Sequence, residues 1–455
     1  MRINRHIETE LLRWKNSDNR KPLILRGARQ VGKTFTVEQF SKNFKHFITL
    51  NLERPRERQL FDNVNSGKEL LERILLYKGL QVDEKECLLF IDEIQNSAAA
   101  IRSLRYLYED FQYLRVLAAG SLLEVFSQQE GFSFPVGRVE NRFMYPVNFL
   151  EYLEYKNPPL ANKLLGLDVT DNTGVHDILM DHFYEYAFVG GMPEALCKYL
   201  ETMSYSPLRE VYESIYMGYI EDLEKYSSLA RVKYMSHVID RAPLHAGERV
   251  TYEKFGDSSF KSREMKEAFD TLERALIIYR AKPSTSVRLP ILEKLRKAPK
   301  IFFFDTGLVN FRVGFKEFFK DRQSLSIIYQ GRIAEQIVAQ EIISKTYQPP
   351  ALHFWIKEPG EAEVDFLYSY KDLVIPLEIK SGAVGKLKSL FLFMERSDHP
   401  YAIRVYSGKN QVDRLPLPSG KTFWLQSIPF YLLPRLDDVI ASLTRMSLSP
   451  CNSVL

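Results

Sequence analysis

The 455 residues are 45% hydrophobic and 13% aromatic, enough apolar material for two to four packed domains and far from a disordered composition. The 62 basic and 58 acidic side chains leave a formal charge of +4, so any nucleic-acid contact needs a local basic face. Cys87, Cys197 and Cys451 lack CxxC or Cys/His spacing, which argues against a disulfide framework or structural zinc; with charges filling the first residues and no run of about 18 apolar residues, the expectation is a cytoplasmic chain without a membrane span.

In chain order, short apolar runs alternate with helical patterns up to about residue 150. The runs are Pro22 to Arg26, His46 to Asn51, Cys87 to Ile91 and Leu114 to Gly120, and the alternation predicts an α/β fold around a parallel sheet over residues 1–150. Residues 151–230 turn Tyr-, Leu- and Glu-rich at helical spacing and predict a helical lid. Tyr152, Tyr155, Tyr184, Tyr186 and Tyr199 in it read as core packing. Residues 231–300 contain Ser262 as an expected N-cap, followed by Met265, Phe269, Leu272 and Leu276 on one helical face; a short helix, a turn and a longer helix suggest a winged-helix or helix-turn-helix unit. Residues 301–455 open on the strand-like Ile301 to Phe304, continue through a helix from Arg332 to Ile343, and give strands near His353, Val364 and Val374, a second α/β unit.

The chemistry concentrates after the first apolar run. Gly27-Ala28-Arg29-Gln30-Val31-Gly32-Lys33-Thr34 stands between a strand and a helical segment, the Walker A pattern in its required setting. Glycines let the backbone wind around a phosphate so that loop N–H groups and the helix N-terminus face the charge. Lys33 would bridge the β- and γ-phosphates, and Thr34 would present its hydroxyl to Mg²⁺. The run Cys87 to Ile91 ends in Asp92-Glu93, a Walker B signature: Asp92 would hold the Mg²⁺ shell and Glu93 would orient or deprotonate the attacking water. Ser121 follows the strand ending at Gly120, where a hydroxyl would sense the γ-phosphate. Arg138, before the expected fifth strand, is a candidate arginine finger or sensor, in cis or in trans, against the alternative of an exposed loop arginine.

These residues resemble a family of prokaryotic two-part ATPases in which an AAA+ type domain precedes a C-terminal domain of unknown function ending in a nuclease-like fold. The matching stretches are Gly27 to Thr34, Leu88 to Gln95, Gly120-Ser121, Gly137-Arg138, Gly190 to Glu194, Phe304 to Leu308, Gly331 to Glu335, Glu363 to Phe366 and Glu378 to Lys380. The resemblance implies ATP binding and hydrolysis with Mg²⁺, and leaves the physiological role open.

Near the C-terminus, Glu335, Asp365, Glu378 and Lys380 follow an order resembling the PD-(D/E)xK nuclease core. There Asp365 and Glu378 at adjacent strand tips would bind a second Mg²⁺, Lys380 would orient a water, and Glu335 would complete the acidic shell. Lys254, Lys261, Arg263 and Lys266 in the winged-helix region would meet phosphates of double-stranded DNA, or form a solvated face or a protein-docking surface. Three functions stay open: an ATP-driven switch or remodeller engaging DNA or a protein partner, as a monomer or homo-oligomer; an ATP-gated, metal-dependent DNA endonuclease; and a non-hydrolysing, ATP-bound adaptor.

Overall fold

The computed structural model describes residues 3–121, 135–169, 174–226, 229–314, 332–380 and 387–446. Strands β1 (Leu23–Arg26), β2 (His46–Asn51), β3 (Cys87–Asp92), β4 (Arg115–Gly120) and β5 (Glu140–Phe143) form a parallel sheet in the order β2-β3-β4-β1-β5. Around it run helices α1 (Ile7–Asn16), α2 (Lys33–Phe40), α3 (Pro55–Gln59), α4 (Gly67–Lys78) and α5 (Ala98–Asp110). β3 is buried at every residue, as a parallel strand covered on both faces requires. Its side chains alternate between two cores: Leu89 and Ile91 join Ile24, Ala118 and the α4/α5 side, while Leu88 and Phe90 join Leu25, Leu117 and the large core that runs on through the rest of the chain.

The helical region comprises α6 (Phe149–Lys156), α7 (Pro158–Leu165), α8 (His176–Val189), α9 (Pro193–Thr202) and α10 (Leu208–Tyr226). A capping box between Asn148 and Glu151 starts α6, each satisfying a backbone donor the helix would otherwise leave bare. Tyr152, Tyr186 and Tyr199 are buried and pack on neighbouring rings, with Tyr155 and Tyr184 half-buried against the same core.

Beyond this lie α11 (Leu229–Arg241), α12 (Ser262–Arg274), α13 (Thr306–Val313), α14 (Arg332–Ser344), α15 (Lys388–Met394) and α16 (Leu436–Met446). The second sheet contains β6 (Ile278–Ser284), β7 (Lys300–Phe303), β8 (Leu352–Ile356), β9 (Glu363–Tyr370), β10 (Leu373–Ile379), β11 (Tyr401–Tyr406), β12 (Gln411–Pro416) and β13 (Thr422–Pro429), in the order β12-β13-β11-β10-β9-β8-β6-β7. Two expectations change here. Ser262 does not cap α12: Lys261 holds the N-cap position and Ser262 is already helical, with no side-chain capping bond. The boundary expected at residue 300 falls inside β7, and β6 pairs in parallel with β8, so residues 231–300 share their sheet with the C-terminal region.

Buried polar contacts tie the regions together. Phe143 N–H donates to Tyr347 O at 3.0 Å, and Glu341 on α14 accepts from Phe149 N–H at 3.0 Å and from the Tyr186 hydroxyl at 2.8 Å. Asp305, fully buried before α13, accepts from Gly191 N–H at 2.6 Å and from Leu308 N–H at 3.0 Å. The backbones close up here, since a Cβ on Gly307 would stand 2.2 Å from Val189 O. Among the described residues, no helix is long and apolar enough to cross a membrane.

Candidate functional site

The loop from Gly27 to Gly32 leaves the C-terminal end of β1, where a central strand of an open α/β sheet delivers its ligand-binding loop. Gly32 has φ of +96°, a conformation that side chains with a Cβ rarely adopt, and directly precedes the first turn of α2. Lys33 is buried, its ammonium donating to Gly27 O at 2.9 Å and Ala28 O at 2.8 Å. Burial pushes its pKa down to about 8, against the opposing pull of Glu93 and Asp92. Thr34 donates its hydroxyl to Asp92 Oδ2 at 2.8 Å, and Glu93 N–H donates to Asp92 Oδ1 at 3.0 Å. Asp92 ends β3; Glu93, at φ of +52°, turns the chain sharply and accepts a bond from Gln95. Burial raises the pKa of both carboxyls above the usual range. Ser121 lies just past the tip of β4, the strand between β3 and β1, and so between the two loops. A lysine, a hydroxyl and two carboxylates thus converge at a helix N-terminus, a set that fits a nucleotide triphosphate and its Mg²⁺.

Several contributors carry no sequence signature. Arg5 is buried and grips the loop from outside, donating to Val31 O at 2.8 Å, Tyr145 O at 2.6 Å and Glu151 at 3.1 Å. Helix α10 reaches the loop as well: Tyr219 donates its hydroxyl to Arg29 O at 2.7 Å, and the Arg29 guanidinium pairs with buried Asp222. Beside Gly32 and Thr36 lies a cavity of about 170 Å³, walled by Ile3, Phe35, Val147, Pro193 and Cys197, with Arg5 and Glu194 at its margin. Of these only Pro193 and Glu194 fall in a stretch singled out from the sequence.

Arg138 is elsewhere. β5 runs parallel to β1 with Glu140 opposite Leu23 and Phe143 opposite Arg26, so Arg138 sits at the end of the sheet away from the loop, about 10 Å or more along the strand. It is 45% exposed and bonds Glu109 at 3.2 Å. That position lies away from its own subunit's phosphate loop.

In the second sheet, Asp365 and Glu378 stand on the paired strands β9 and β10, with Ile379 N–H donating to Asp365 Oδ2 at 2.8 Å, and Lys380 donates to Glu378 Oε1 at 2.5 Å. The unexpected member is Lys300. Its buried ammonium lies 2.7 Å from Glu335 Oε2, 2.7 Å from Glu363 Oε1 and 3.5 Å from Asp365 Oδ1. Burial raises the Glu335 carboxyl to about 8 and the Glu378 carboxyl to about 7, each with the Asp365 charge adding to it. Burial alone would lower the Lys300 pKa, but Glu335, Asp365 and Glu363 raise it. With an ammonium among them, these carboxylates do not fit the divalent ion the sequence order suggests. Among the described residues, no group of three or more His, Cys, Asp or Glu side chains is arranged to hold a metal.

Helix α12, which buries Met265, Ala268, Phe269 and Leu272, presents no basic surface on its other side. It carries three basic residues (Arg263, Lys266, Arg274) against four acidic ones (Glu264, Glu267, Asp270, Glu273), a net charge of −1. Lys254 and Lys261 lie outside the helix, ahead of its first turn.

No curated protein matches the chain. Among solved structures, it is similar to the Walker-type ATPase paby2304 of Pyrococcus abyssi at 16% identity, covering 69% of this chain and 96% of that one with a TM-score of 0.44. The Aeropyrum pernix ORC1 protein in complex with DNA is similar at 12% identity, with 68% and 92% coverage and a TM-score of 0.30. Residues 180–318 match a domain of unknown function (DUF8612), and residues 330–425 match another (DUF4143). Residues 19–153 match the AAA domain family. With the parallel sheet and the loop that leaves its central strand, that match makes the N-terminal part of the chain a P-loop ATPase domain of the AAA type.

Proposed function

We propose that the chain is a Mg²⁺-dependent ATPase that works as a nucleotide-driven switch, and the observation that carries this is the convergence of Lys33, Thr34, Asp92 and Glu93 at the end of one sheet. The triphosphate would lie along the loop N–H groups, and Lys33 would exchange the carbonyls of Gly27 and Ala28 for phosphate oxygens. Thr34 and Asp92 would hold Mg²⁺, which supplies charge neutralisation to the phosphates. The nearby apolar cavity, with Pro193 and Cys197 on one wall and Ile3 and Val147 also lining it, supports placement of the nucleobase there. Glu93 would orient the attacking water and accept its proton, and Ser121 would bond the terminal phosphate or that water.

The switch reading rests on α10, which touches the phosphate loop through Tyr219 and Asp222, and on Gly190–Pro193, which joins the cavity wall to Asp305. A change at the phosphates therefore has a short covalent and hydrogen-bonded path into the second sheet. The partner is a protein or double-stranded DNA; the acidic balance of α12 weighs against that helix as a DNA reader.

The test is phosphate release from ATP with Mg²⁺ by wild type and Glu93→Gln, with and without double-stranded DNA. We expect release by wild type, none above background by Glu93→Gln, and retained nucleotide binding in the variant. Equal release by both would remove Glu93 from the mechanism, and bound ATP without release by either would turn the reading to an adaptor. Stimulation by DNA would name the partner class.

A further inference from the structure

The second sheet contains a cation of its own. Lys300 opens β7 at the sheet edge, yet its side chain is only 4% exposed, because it runs inward to Glu335 on α14 and to Glu363 and Asp365 on β9. Glu363 and Asp365 are two residues apart on one strand and so face the same side. An ammonium has three N–H donors and no acceptor, and here three carboxylate oxygens from three different residues surround it. The remaining oxygens are largely committed. Glu363 Oε2 faces Arg249 at 3.6 Å, Asp365 Oδ2 accepts from Ile379 N–H, and Glu378 Oε1 accepts from Lys380. Among the described residues, buried Glu378 Oε2 lacks a hydrogen-bond partner.

A divalent ion of the Mg²⁺ or Mn²⁺ kind needs about six oxygen ligands at close range and would have to enter a space the ammonium fills. We infer that the Lys300 ammonium is the resident cation of this carboxylate cluster, and that the cluster therefore takes no divalent metal and does not work as the centre of a metal-dependent nuclease. The inference is independent of the ATPase reading, since the cluster belongs to a different sheet from the phosphate loop.

The experiment is Mn²⁺ titration of the nucleotide-free full chain, followed by electron paramagnetic resonance. Four proteins are compared: wild type, Asp365→Asn, Lys300→Met, and Lys300→Met combined with Asp365→Asn. We expect wild type and Asp365→Asn to bind Mn²⁺ alike. Lys300→Met should gain one further Mn²⁺ per chain, bound at least tenfold more tightly than any at this cluster in wild type, and the added Asp365→Asn should abolish it. Mn²⁺ should also raise the melting temperature of Lys300→Met and leave that of wild type at this cluster unaffected. A wild-type Mn²⁺ that disappears with Asp365→Asn overturns the inference, as does a folded Lys300→Met that gains none. If Lys300→Met does not fold, the comparison of wild type with Asp365→Asn decides alone.

Discussion

Lys33 has its ammonium against two loop carbonyls, with its pKa held near 8 by burial, and this sets how nucleotide affinity responds to pH. A phosphate needs the charged ammonium. Below pH 8 the free protein already carries that proton; above it, binding must take one up, so the dissociation constant for ATP should rise up to about tenfold per pH unit. Titrations between pH 7 and 9.5 should show the rise in wild type and a flat profile in Lys33→Arg, because a guanidinium keeps its charge throughout. A flat wild-type profile would mean that Lys33 does not pair with the phosphates. Lys33, Thr34, Asp92 and Glu93 were legible in the sequence because phosphate chemistry fixes their types and their local spacing. Arg5, Asp222 and Lys300 were not, since each acts on residues more than 20 positions away and nothing beside it in the chain marks it.

At the scale of elements, four strands of the first sheet stood out because apolar runs of five to seven residues alternate with helical spacing, whereas β5, Glu140–Phe143, carries no such run. The second sheet was harder. β6 lies in a region whose helices suggested an independent unit, yet its parallel partner β8 comes about 70 residues later, a pairing that no local pattern encodes. The Ser262 expectation failed for a local reason: Lys261 adopts the extended N-cap backbone, one residue earlier, without a capping side chain. The contact between the ends of α8 and α13 carries the clearest mechanical load. Gly307→Ala would drive a Cβ against Val189 O and the Tyr212 hydroxyl, neither free to retreat, and should cost about 3 kcal/mol of stability. Thermal denaturation checks this, and an unchanged melting temperature would show that α13 is free to shift away.

For the whole molecule, the position of Arg138 turns a question of mechanism into one of assembly. Lying at the far end of the sheet from its own phosphate loop, it would reach a phosphate site only in a neighbouring subunit. We expect Arg138→Ala to lower turnover by about 10²-fold or more while leaving nucleotide affinity unchanged. Mixing Arg138→Ala with Glu93→Gln should restore part of the activity, because some interfaces then pair an intact Glu93 with an intact Arg138. Mixtures no more active than their components would leave Arg138 as the partner of Glu109 alone.

The unequal covering of the first sheet bears on the order in which the chain matures during synthesis. One face is completed by neighbours in sequence, Ile24, Leu89, Ile101, Leu104 and Val116 among them, so it closes once about 120 residues have emerged. The other belongs to a core whose members run to Leu443, and its edge waits for Tyr347 to bond Phe143. A ribosome making this protein therefore displays a half-finished sheet with an apolar side for most of elongation, although Arg5, Tyr219 and Asp222, the partners that hold the nucleotide loop, have by then been made.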